Sequence, residues 1–293
     1  MAVIETKGLT KFYGKNRGIV DVSVSVSEGE VYGFIGPNGA GKSTMIKTLL
    51  NLLFPTSGSA RIFGLDCVRD SREIKQSVGY VPCEVRYYED LTVAQMLAFS
   101  DSFHKNADKA YTASLSERFG LEPKKKIGEL SSGNKKKTAL VAALSSRPKL
   151  LILDEPTNGL DPLMRKTFFE AIAEARSSGA TIFLSSHNLD EVQSLCTRVA
   201  IIREGRIADV KKMRDLTAGN AKKVTVRGSR LPESIEGAEV ISRTPEKLVF
   251  RYGSADMKKL VAALSSMEIT DLLIEDVKLQ DVFMSYYSGD TKN

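Results

Sequence analysis

The sequence predicts an α/β domain over residues 1–217, with a helical subdomain at about 85–147, and a small α+β domain over residues 222–289. Three observations predict this arrangement. Short apolar runs alternate with amphipathic stretches through the first domain, as in an α/β sheet. Its helical subdomain instead shows mainly the 3.6-residue apolar periodicity of helices. A polar segment at 211–221 then separates the first domain from a second group of short strands.

The strands and helices are predicted in a definite order along the chain. In the first domain we expect strands at 31–35, 58–63, 77–81, 150–153, 181–185, 199–203 and 206–210, and helices at 42–53, 91–104 and 107–119. In the second we expect strands at 223–227, 239–242, 248–252 and 271–274, and helices at 255–267 and 279–287. Ser254 is the predicted N-cap of the helix at 255–267, because a serine hydroxyl can accept a hydrogen bond from the first turn.

Length and composition favour a globular protein of the cytoplasm. A chain of 293 residues is long enough to bury two cores, and its 42% hydrophobic and 27% charged residues are ordinary for globular domains. No run of 18 apolar residues is present to span a bilayer, and the N-terminal residues lack the apolar stretch of a signal peptide. Cys67, Cys83 and Cys196 are widely spaced, and we interpret them as free thiols.

The net charge of +6 is concentrated partly in two lysine runs, at residues 124–126 and 135–137. Such runs usually form a solvated helix face, and the alternative interpretation is attraction to anionic lipid headgroups beside a membrane partner. Nucleic acid is not an expected partner, because no aromatic-rich motif accompanies the basic residues.

The clearest chemical motif is a glycine-rich loop between a predicted strand and a predicted helix. It has the phosphate-loop (P-loop) spacing of glycine, four residues, glycine, lysine and serine. Its residues are Gly36, Pro37, Asn38, Gly39, Ala40, Gly41, Lys42, Ser43 and Thr44. Glycines allow successive backbone N–H groups to face one anion, and Lys42 would reach the β- and γ-phosphates. The loop therefore predicts ATP binding, with the Ser43 hydroxyl as a ligand of Mg²⁺.

Two further polar groups stand at the ends of predicted buried strands. Asp154 and Glu155 follow an apolar run, which suits Asp154 to hold Mg²⁺ and Glu155 to polarise an attacking water as a general base. His187 follows another apolar strand, and we expect it to contact the γ-phosphate or the attacking water. Because the carboxyl ends of parallel strands share one edge of a sheet, these side chains should meet the P-loop there. A solvated acidic turn and a structural histidine are the alternative interpretations.

The order of these motifs resembles the nucleotide-binding subunits of ABC (ATP-binding cassette) transporters. Between the P-loop and His187 come Leu-Ser-Ser-Gly-Asn at 130–134, the carboxylate pair, and Asn-Gly-Leu-Asp at 158–161. The resemblance covers residues 3–217. It implies a P-loop NTPase fold and ATP hydrolysis coupled to transport. It also implies a dimer of identical or different ATP-binding subunits, which drives a separately encoded transmembrane permease at the inner face of the cell membrane.

The resemblance implies roles for particular residues. Tyr13 would stack on the adenine ring, and Asp161 would belong to the D-loop. A signature loop, which caps the ATP held by the partner subunit, would consist of Ser131, Ser132, Gly133 and Asn134. A helix that begins near Lys135 would point its N–H groups at that γ-phosphate. Without the family, the same segment is simply a capped helix start.

Two positions depart from the family pattern. The signature is usually Leu-Ser-Gly-Gly-Gln, whereas Ser132 and Asn134 stand here, so we expect weakened contact. The family usually has glutamine after the proline of a loop where this chain has Cys83. A soft thiol is a poor ligand for the hard Mg²⁺ ion, so Glu84 or a water would have to substitute.

The remaining sequence bears on partners. Residues 84–92 fall where the family docks its membrane subunit, and their tyrosine pair is either exposed for that interface or buried in the helical subdomain. Residues 274–283 resemble the tail of exporter subunits of the drug- and bacitracin-resistance type, so we expect an exporter. Two alternatives stay open: a soluble ABC ATPase that acts on nucleic acid, and a regulator that barely hydrolyses ATP. The single cassette without a heptad run disfavours the first.

Overall fold

The computed structural model describes residues 2–104, 107–217, 221–253 and 257–276. The chain divides into two compact units, Met1–Val210 and Lys211–Asn293. The predicted N-cap Ser254 and the predicted last helix lie outside the described residues.

The first unit combines a parallel sheet, an antiparallel sheet and a group of helices. Its strands are β1 (Ala2–Tyr13), β2 (Asn16–Val22), β3 (Ser25–Ser27), β4 (Val31–Ile35), β5 (Ser57–Ile62), β6 (Leu65–Asp66), β7 (Val78–Val81), β8 (Leu150–Asp154), β9 (Thr181–Ser186), β10 (Arg198–Arg203) and β11 (Arg206–Lys212). Its helices are α1 (Lys42–Leu49), α2 (Ser71–Lys75), α3 (Val93–Asp101), α4 (Lys109–Arg118), α5 (Ser132–Ser145), α6 (Pro162–Ser177) and α7 (Leu189–Leu195). The predicted α/β fold is confirmed.

The parallel sheet positions the loops that carry the candidate site residues. Within the described part of the chain its strand order is β11-β10-β4-β9-β8-β7. Every residue of β4, β8 and β9 is buried, as expected for parallel strands covered on both faces. The register places Asp154 opposite Ser185 and Ile35 opposite Ser186, so the three strands end at the same level. The loops that follow these strands therefore leave the sheet side by side.

The core of this unit lies between the parallel sheet and the antiparallel sheet β2-β1-β5-β6, in which β3 also pairs with β1. Helix α1 contributes Met45 and Ile46, which are fully buried. Phe183 of β9 stacks on Tyr32 with ring centroids 5.9 Å apart. These apolar contacts hold the strand that carries His187 against the strand that precedes the P-loop.

The helical subdomain contains α3, α4 and α5. Thr92 caps α3 in a capping box with Gln95, and Asp108 caps α4. Helix α5 begins at Ser132, three residues before the predicted start near residue 135. This earlier start follows from Ser131, whose hydroxyl accepts a hydrogen bond from the Asn134 N–H group. Likewise, α1 ends at Leu49 rather than at the predicted residue 53.

The second unit is a small α+β structure. Its elements are α8 (Met213–Thr217), β12 (Ala221–Ser229), β13 (Ala238–Thr244), β14 (Lys247–Gly253), α9 (Met257–Ser265) and β15 (Glu268–Asp276). Among the described residues the sheet order is β13-β14-β12-β15, with antiparallel pairs throughout. Leu260 and Leu264 of α9 pack with Val224, Val226 and Phe250 of the sheet. All four strands predicted for this region lie within these elements.

Candidate nucleotide-binding site

The P-loop connects β4 to α1, and its glycines are required by space as well as by conformation. A Cβ atom on Gly36 would lie 2.4 Å from the carbonyl oxygen of Ile202. Gly41 has φ +109°, which side chains with a Cβ atom rarely adopt. The Lys42 ammonium is buried and donates to the carbonyl oxygens of Gly36 at 2.8 Å and Pro37 at 3.1 Å. The loop is thus curled around its own lysine.

Glu155 lies at the centre of the site. Its carboxylate is buried, with Oε1 3.2 Å from Lys42 Nζ and Oε2 2.8 Å from His187 Nδ1. Its backbone has φ +48°, which is uncommon for a residue other than glycine and is typical of constrained functional positions. The Ser185 carbonyl and hydroxyl oxygens both accept from its N–H group, at 3.1 and 3.2 Å. The three functional side chains predicted from separate motifs are therefore in direct contact.

Asp154 is fully buried at the end of β8. Its Oδ1 accepts a hydrogen bond from the Ser185 hydroxyl at 2.6 Å. Its Oδ2 is buried and has no hydrogen-bond partner among the described residues. A buried, unpartnered carboxylate oxygen is expensive unless a donor or a cation satisfies it. Mg²⁺ prefers hard oxygen ligands, so the Asp154 carboxylate fits a Mg²⁺ site.

Lys42, Glu155 and His187 line a cleft of about 440 Å³. Its lining is Arg17, Gly18, Asn38, Gly39, Gly41, Lys42, Ser43, Thr44, Cys83, Glu155, Asn158 and His187. The side chain of His187 is 47% exposed, so it faces the open side of the cleft. Arg17 and Gly18 were not among the candidate residues predicted from the sequence, whereas Asn158 belongs to the Asn-Gly-Leu-Asp motif at 158–161. The start of β2, where Arg17 and Gly18 lie, has no local phosphate-binding signature.

Tyr13 lies at the edge of the same region. It is 44% exposed, and its hydroxyl is 3.3 Å from the Thr44 hydroxyl. An exposed aromatic ring beside a P-loop is suited to stack on a planar base. Of the remaining P-loop residues, Ala40 is buried and its N–H group donates to the Pro37 carbonyl oxygen at 3.2 Å.

Cys83 and Lys136 add unusual electrostatics to this cleft. Cys83 is exposed as a residue, but partial desolvation of its thiol, and then the charge of Asp154, raise the pKa of that thiol, so the neutral form is favoured. Burial lowers the pKa of Lys136, whereas Cys83, Asp154 and Glu155 act in the opposite direction. Lys136 is only 3% exposed, so the predicted solvated face is wrong for this lysine. No pattern in the sequence indicates this burial, because a run of three lysines normally indicates exposure.

The signature loop and Asp161 lie elsewhere in the chain's own structure. Ser131 caps α5, and Asp161 caps α6 by accepting from the Met164 N–H group at 2.9 Å. Ser131 and Ser132 are exposed, and neither they nor Asp161 line the cleft. A Cβ atom on Gly133 would lie 2.6 Å from the carbonyl oxygen of Gly159, so the two loops approach closely. Within one chain these residues act as helix caps.

A second buried polar cluster lies behind the cleft and was also missed. Glu191 of α7 is 3% exposed and accepts hydrogen bonds from the hydroxyls of Thr157 and Ser186 and from the amide of Asn188. Thr157 follows Glu155 by two residues, while Ser186 and Asn188 flank His187. The cluster thus ties together the two loops that carry the catalytic candidates.

The tyrosine pair at 87–88 was predicted to be either exposed for an interface or buried in the helical subdomain, and its two members differ. Tyr88 is 64% exposed, whereas Tyr87 is half-buried, and burial raises its pKa to about 12. Tyr88 packs edge-on against Phe99, and Phe99 packs against Phe103 in the same way. Phe103 is 63% exposed. These three rings form an aromatic patch on the surface of the helical subdomain.

The fold and the cleft define a P-loop ATPase. The chain matches the family described as ABC transporter over residues 19–158. The bacitracin transport ATP-binding protein BcrA of Bacillus licheniformis is 39% identical over 210 residues, which are 71% of this chain and 69% of that protein. A solved ATP-binding subunit of an ABC transporter is 30% identical, with a TM-score of 0.69 over 74% of this chain and 92% of that one.

A dimeric ATP-binding cassette with bound ADP and Pi shares the fold at 22% identity, with a TM-score of 0.66 over 72% of this chain and 99% of that one. The chain therefore belongs to the ABC transporter family, as an ATP-binding subunit and an ATPase. No helix among the described residues is long and apolar enough to cross a membrane.

Proposed function

We propose that this chain is the ATP-hydrolysing subunit of an ABC exporter. It works as a dimer, on a separately encoded permease at the inner face of the cell membrane. The observation that carries the proposal is the carboxylate of Glu155, which contacts both Lys42 and His187 in one buried cleft. A carboxylate held this way has the position of a general base beside a triphosphate.

Glu155 would accept the proton of the attacking water. His187, half-exposed and in contact with Glu155, would orient that water or the γ-phosphate. The peptide of Glu155 is fixed by two hydrogen bonds from its N–H group to Ser185. Catalysis of phosphoryl transfer depends mainly on such positioning and on charge stabilisation.

Lys42 would bind the β- and γ-phosphates. Its ammonium now contacts two P-loop carbonyl oxygens and Glu155. A triphosphate in the P-loop would compete with Glu155 for this cation, because phosphate oxygens are strong, charged acceptors. ATP binding would thereby free the Glu155 carboxylate to act on water.

Asp154 and Ser43 would hold Mg²⁺. The Oδ2 atom of Asp154 supplies a buried acceptor, and Ser43 lines the cleft beside the P-loop. When bound, the ion neutralises charge on the β- and γ-phosphates. Cys83 contributes nothing to this, because its thiol is soft and is kept neutral.

Two copies would complete each site. Ser131, Ser132, Gly133 and Asn134 are presented at the N-terminus of α5, where exposed N–H groups favour an anion. These residues do not line the cleft of their own chain, so the ATP bound by the partner subunit is the ligand that suits them. Asp161 would lie in the same interface, in the loop that Gly133 approaches.

The permease would dock on the aromatic patch of Tyr88, Phe99 and Phe103. Exposed aromatic rings are enriched in protein interfaces. Tyr88 of the patch lies within residues 84–92, and the described residues include no membrane-spanning helix. A relative named Nod factor export ATP-binding protein I, from Burkholderia orbicola, is 39% identical over 211 residues, which supports export as the direction.

Turnover of Glu155→Gln tests the catalytic role. The amide keeps the shape of the side chain but cannot accept the proton, so turnover should fall about a thousandfold or more. ATP binding should persist, and the variant should accumulate as an ATP-bound dimer in size-exclusion chromatography. Wild-type turnover in this variant would refute Glu155 as the base. A wild type that already accumulates as such a dimer would instead favour a regulator.

Co-purification from the native membrane tests the transport role. An integral membrane protein should be recovered with the wild-type chain. Recovery should fall when Tyr88 and Phe103 are both changed to alanine, while ATP turnover of the isolated chain stays the same. Recovery of a fully active complex with DNA or RNA, and without any membrane protein, would contradict the proposal.

A further inference from the structure

Lys136 is a buried lysine on the helix that follows the signature loop. Its Nζ donates to the carbonyl oxygens of Pro82 and Cys83, both at 2.7 Å, and to that of Glu155 at 3.4 Å. An ammonium has three N–H donors, so these three acceptors use all of them. The neighbouring Lys135 is only half-buried and pairs with Glu89 at 3.3 Å.

Burial of the Lys136 ammonium costs free energy unless other contacts compensate for the lost hydration. Burying a charge away from water is unfavourable unless hydrogen bonds replace its hydration. Lys135 and Lys137, on either side, are only half-buried, so they bear less of this cost. Three backbone carbonyls from two separate loops converge on Lys136 instead. The Lys136 side chain therefore links those two loops to helix α5.

The three acceptors belong to the loops that leave β7 and β8. Pro82 and Cys83 follow β7, and Glu155 follows β8, in the register that pairs Val81 with Leu153. Glu155 has φ +48°, an uncommon conformation that the surroundings must hold. Lys136 contacts the carbonyl group of this same residue. A helix of the helical subdomain thus fixes the peptide that carries the proposed general base.

We propose that Lys136 is a positioning residue that holds the Glu155 peptide and the Pro82–Cys83 loop to helix α5. The carboxylate of Glu155 keeps its place between Lys42 and His187 while these contacts persist. Because α5 begins at the signature loop, a displacement of α5 would reach the carboxylate of the same chain directly. The inference rests on the catalytic role proposed for Glu155.

Steady-state kinetics and ATP binding of the full chain test this role. Lys136→Met removes the three donors but keeps the unbranched stem of the side chain. We expect kcat to fall about tenfold to a hundredfold, while the Kd for ATP changes less than about threefold. Lys136→Arg retains a cation with several donors and should recover part of the lost kcat. Lys137→Met, the same change one residue along α5, should match the wild type.

The outcomes separate this inference from the proposed function. Wild-type kcat in Lys136→Met, or a loss of ATP affinity as large as the loss of kcat, would overturn the positioning role. Failure of Lys136→Arg to recover more turnover than Lys136→Met would overturn it also. If Lys136→Met does not fold, Lys136→Gln takes its place. Its fall in kcat is then compared with its change in the Kd for ATP in the same way. Should Glu155→Gln keep wild-type turnover, the catalytic role itself is wrong.

Discussion

Single residues of the cleft depend on one another through Glu155. Its two carboxylate oxygens reach Lys42 and His187, and its carbonyl oxygen reaches Lys136. Replacing any of these partners should therefore change how the carboxylate is held, and not only remove one contact. Effects of residues that act as such a unit are not additive.

Cys83→Gln should improve the response to Mg²⁺. An amide oxygen is a hard ligand, whereas the neutral thiol of Cys83 is not. We expect the Mg²⁺ concentration for half-maximal ATP turnover to fall by about twofold to tenfold. Cys83→Ala removes the thiol without adding an oxygen, so it should not show this fall. Equal Mg²⁺ responses of the glutamine and alanine variants would contradict the prediction.

The sequence predicted some of these residues and missed others for physical reasons. Asp154, Glu155 and His187 were predictable because each follows a strand whose apolar run indicates burial and whose end indicates the ligand edge. Lys136 was not predictable, since nothing in three adjacent lysines shows which one turns inward. Its partners are backbone carbonyls more than 50 residues away, except for Glu155 at 19 residues.

At the scale of elements, α7 fixes two loops against each other. Glu191 accepts from Thr157 in the loop after β8 and from Ser186 and Asn188 beside His187. Burial raises the pKa of Glu191, which the hydrogen bonds from Thr157 and Ser186 partly oppose. The folded state therefore retains a proton that the unfolded chain releases at lower pH.

Glu191→Gln should alter the pH dependence of stability. Because the pKa of Glu191 is raised in the folded state, its bound proton stabilises the fold fully at pH values below the pKa of the unfolded chain. This stabilisation is lost as the pH rises through the folded-state pKa. Glutamine does not titrate, so the Tm of the variant relative to the wild type should increase from pH 5 to pH 8. Thermal unfolding by circular dichroism at both values measures this. The same Tm difference at both pH values would show that Glu191 does not titrate differently on folding.

Most strands were predictable, and the boundaries of several helices were not. The runs that became β4 and β8 are almost entirely apolar, and β9 has an apolar centre at 182–184, which indicates strands buried on both faces. Helix α5 begins three residues before the predicted start, because the Ser131 hydroxyl caps the Asn134 N–H group. The pairing of β1 with β5, between residues 47 to 58 positions apart, had no local signal.

For the whole molecule, the central expectation is that one chain has only part of each ATP site. The signature residues at the start of α5 do not line the cleft of their own chain, and Ser131 and Ser132 are exposed there. The solved dimeric cassette with bound ADP and Pi has the same fold. A head-to-tail dimer is the arrangement that would bring a signature loop to a P-loop.

Ser132→Arg should block the ATP-dependent dimer without harming the single chain. The serine is exposed, so the larger side chain can be accommodated until a partner approaches. In a Glu155→Gln background, ATP affinity should change by less than about twofold, while the dimer seen by size-exclusion chromatography with light scattering should disappear. Ser178→Arg, at the exposed end of α6, is the matched control. A dimer that forms equally in both variants would contradict the proposed interface.

Equilibrium ATP binding and turnover of Lys42→Ala test the nucleotide site most directly. The buried ammonium of Lys42 is aimed at the P-loop interior, whereas Lys47 lies exposed on the same helix. Calorimetry at fixed salt and Mg²⁺ should show ATP affinity at least about tenfold weaker in Lys42→Ala, with turnover lost. Lys47→Ala should retain both. Affinity and turnover of Lys42→Ala equal to those of the wild type would contradict the assignment of the whole site.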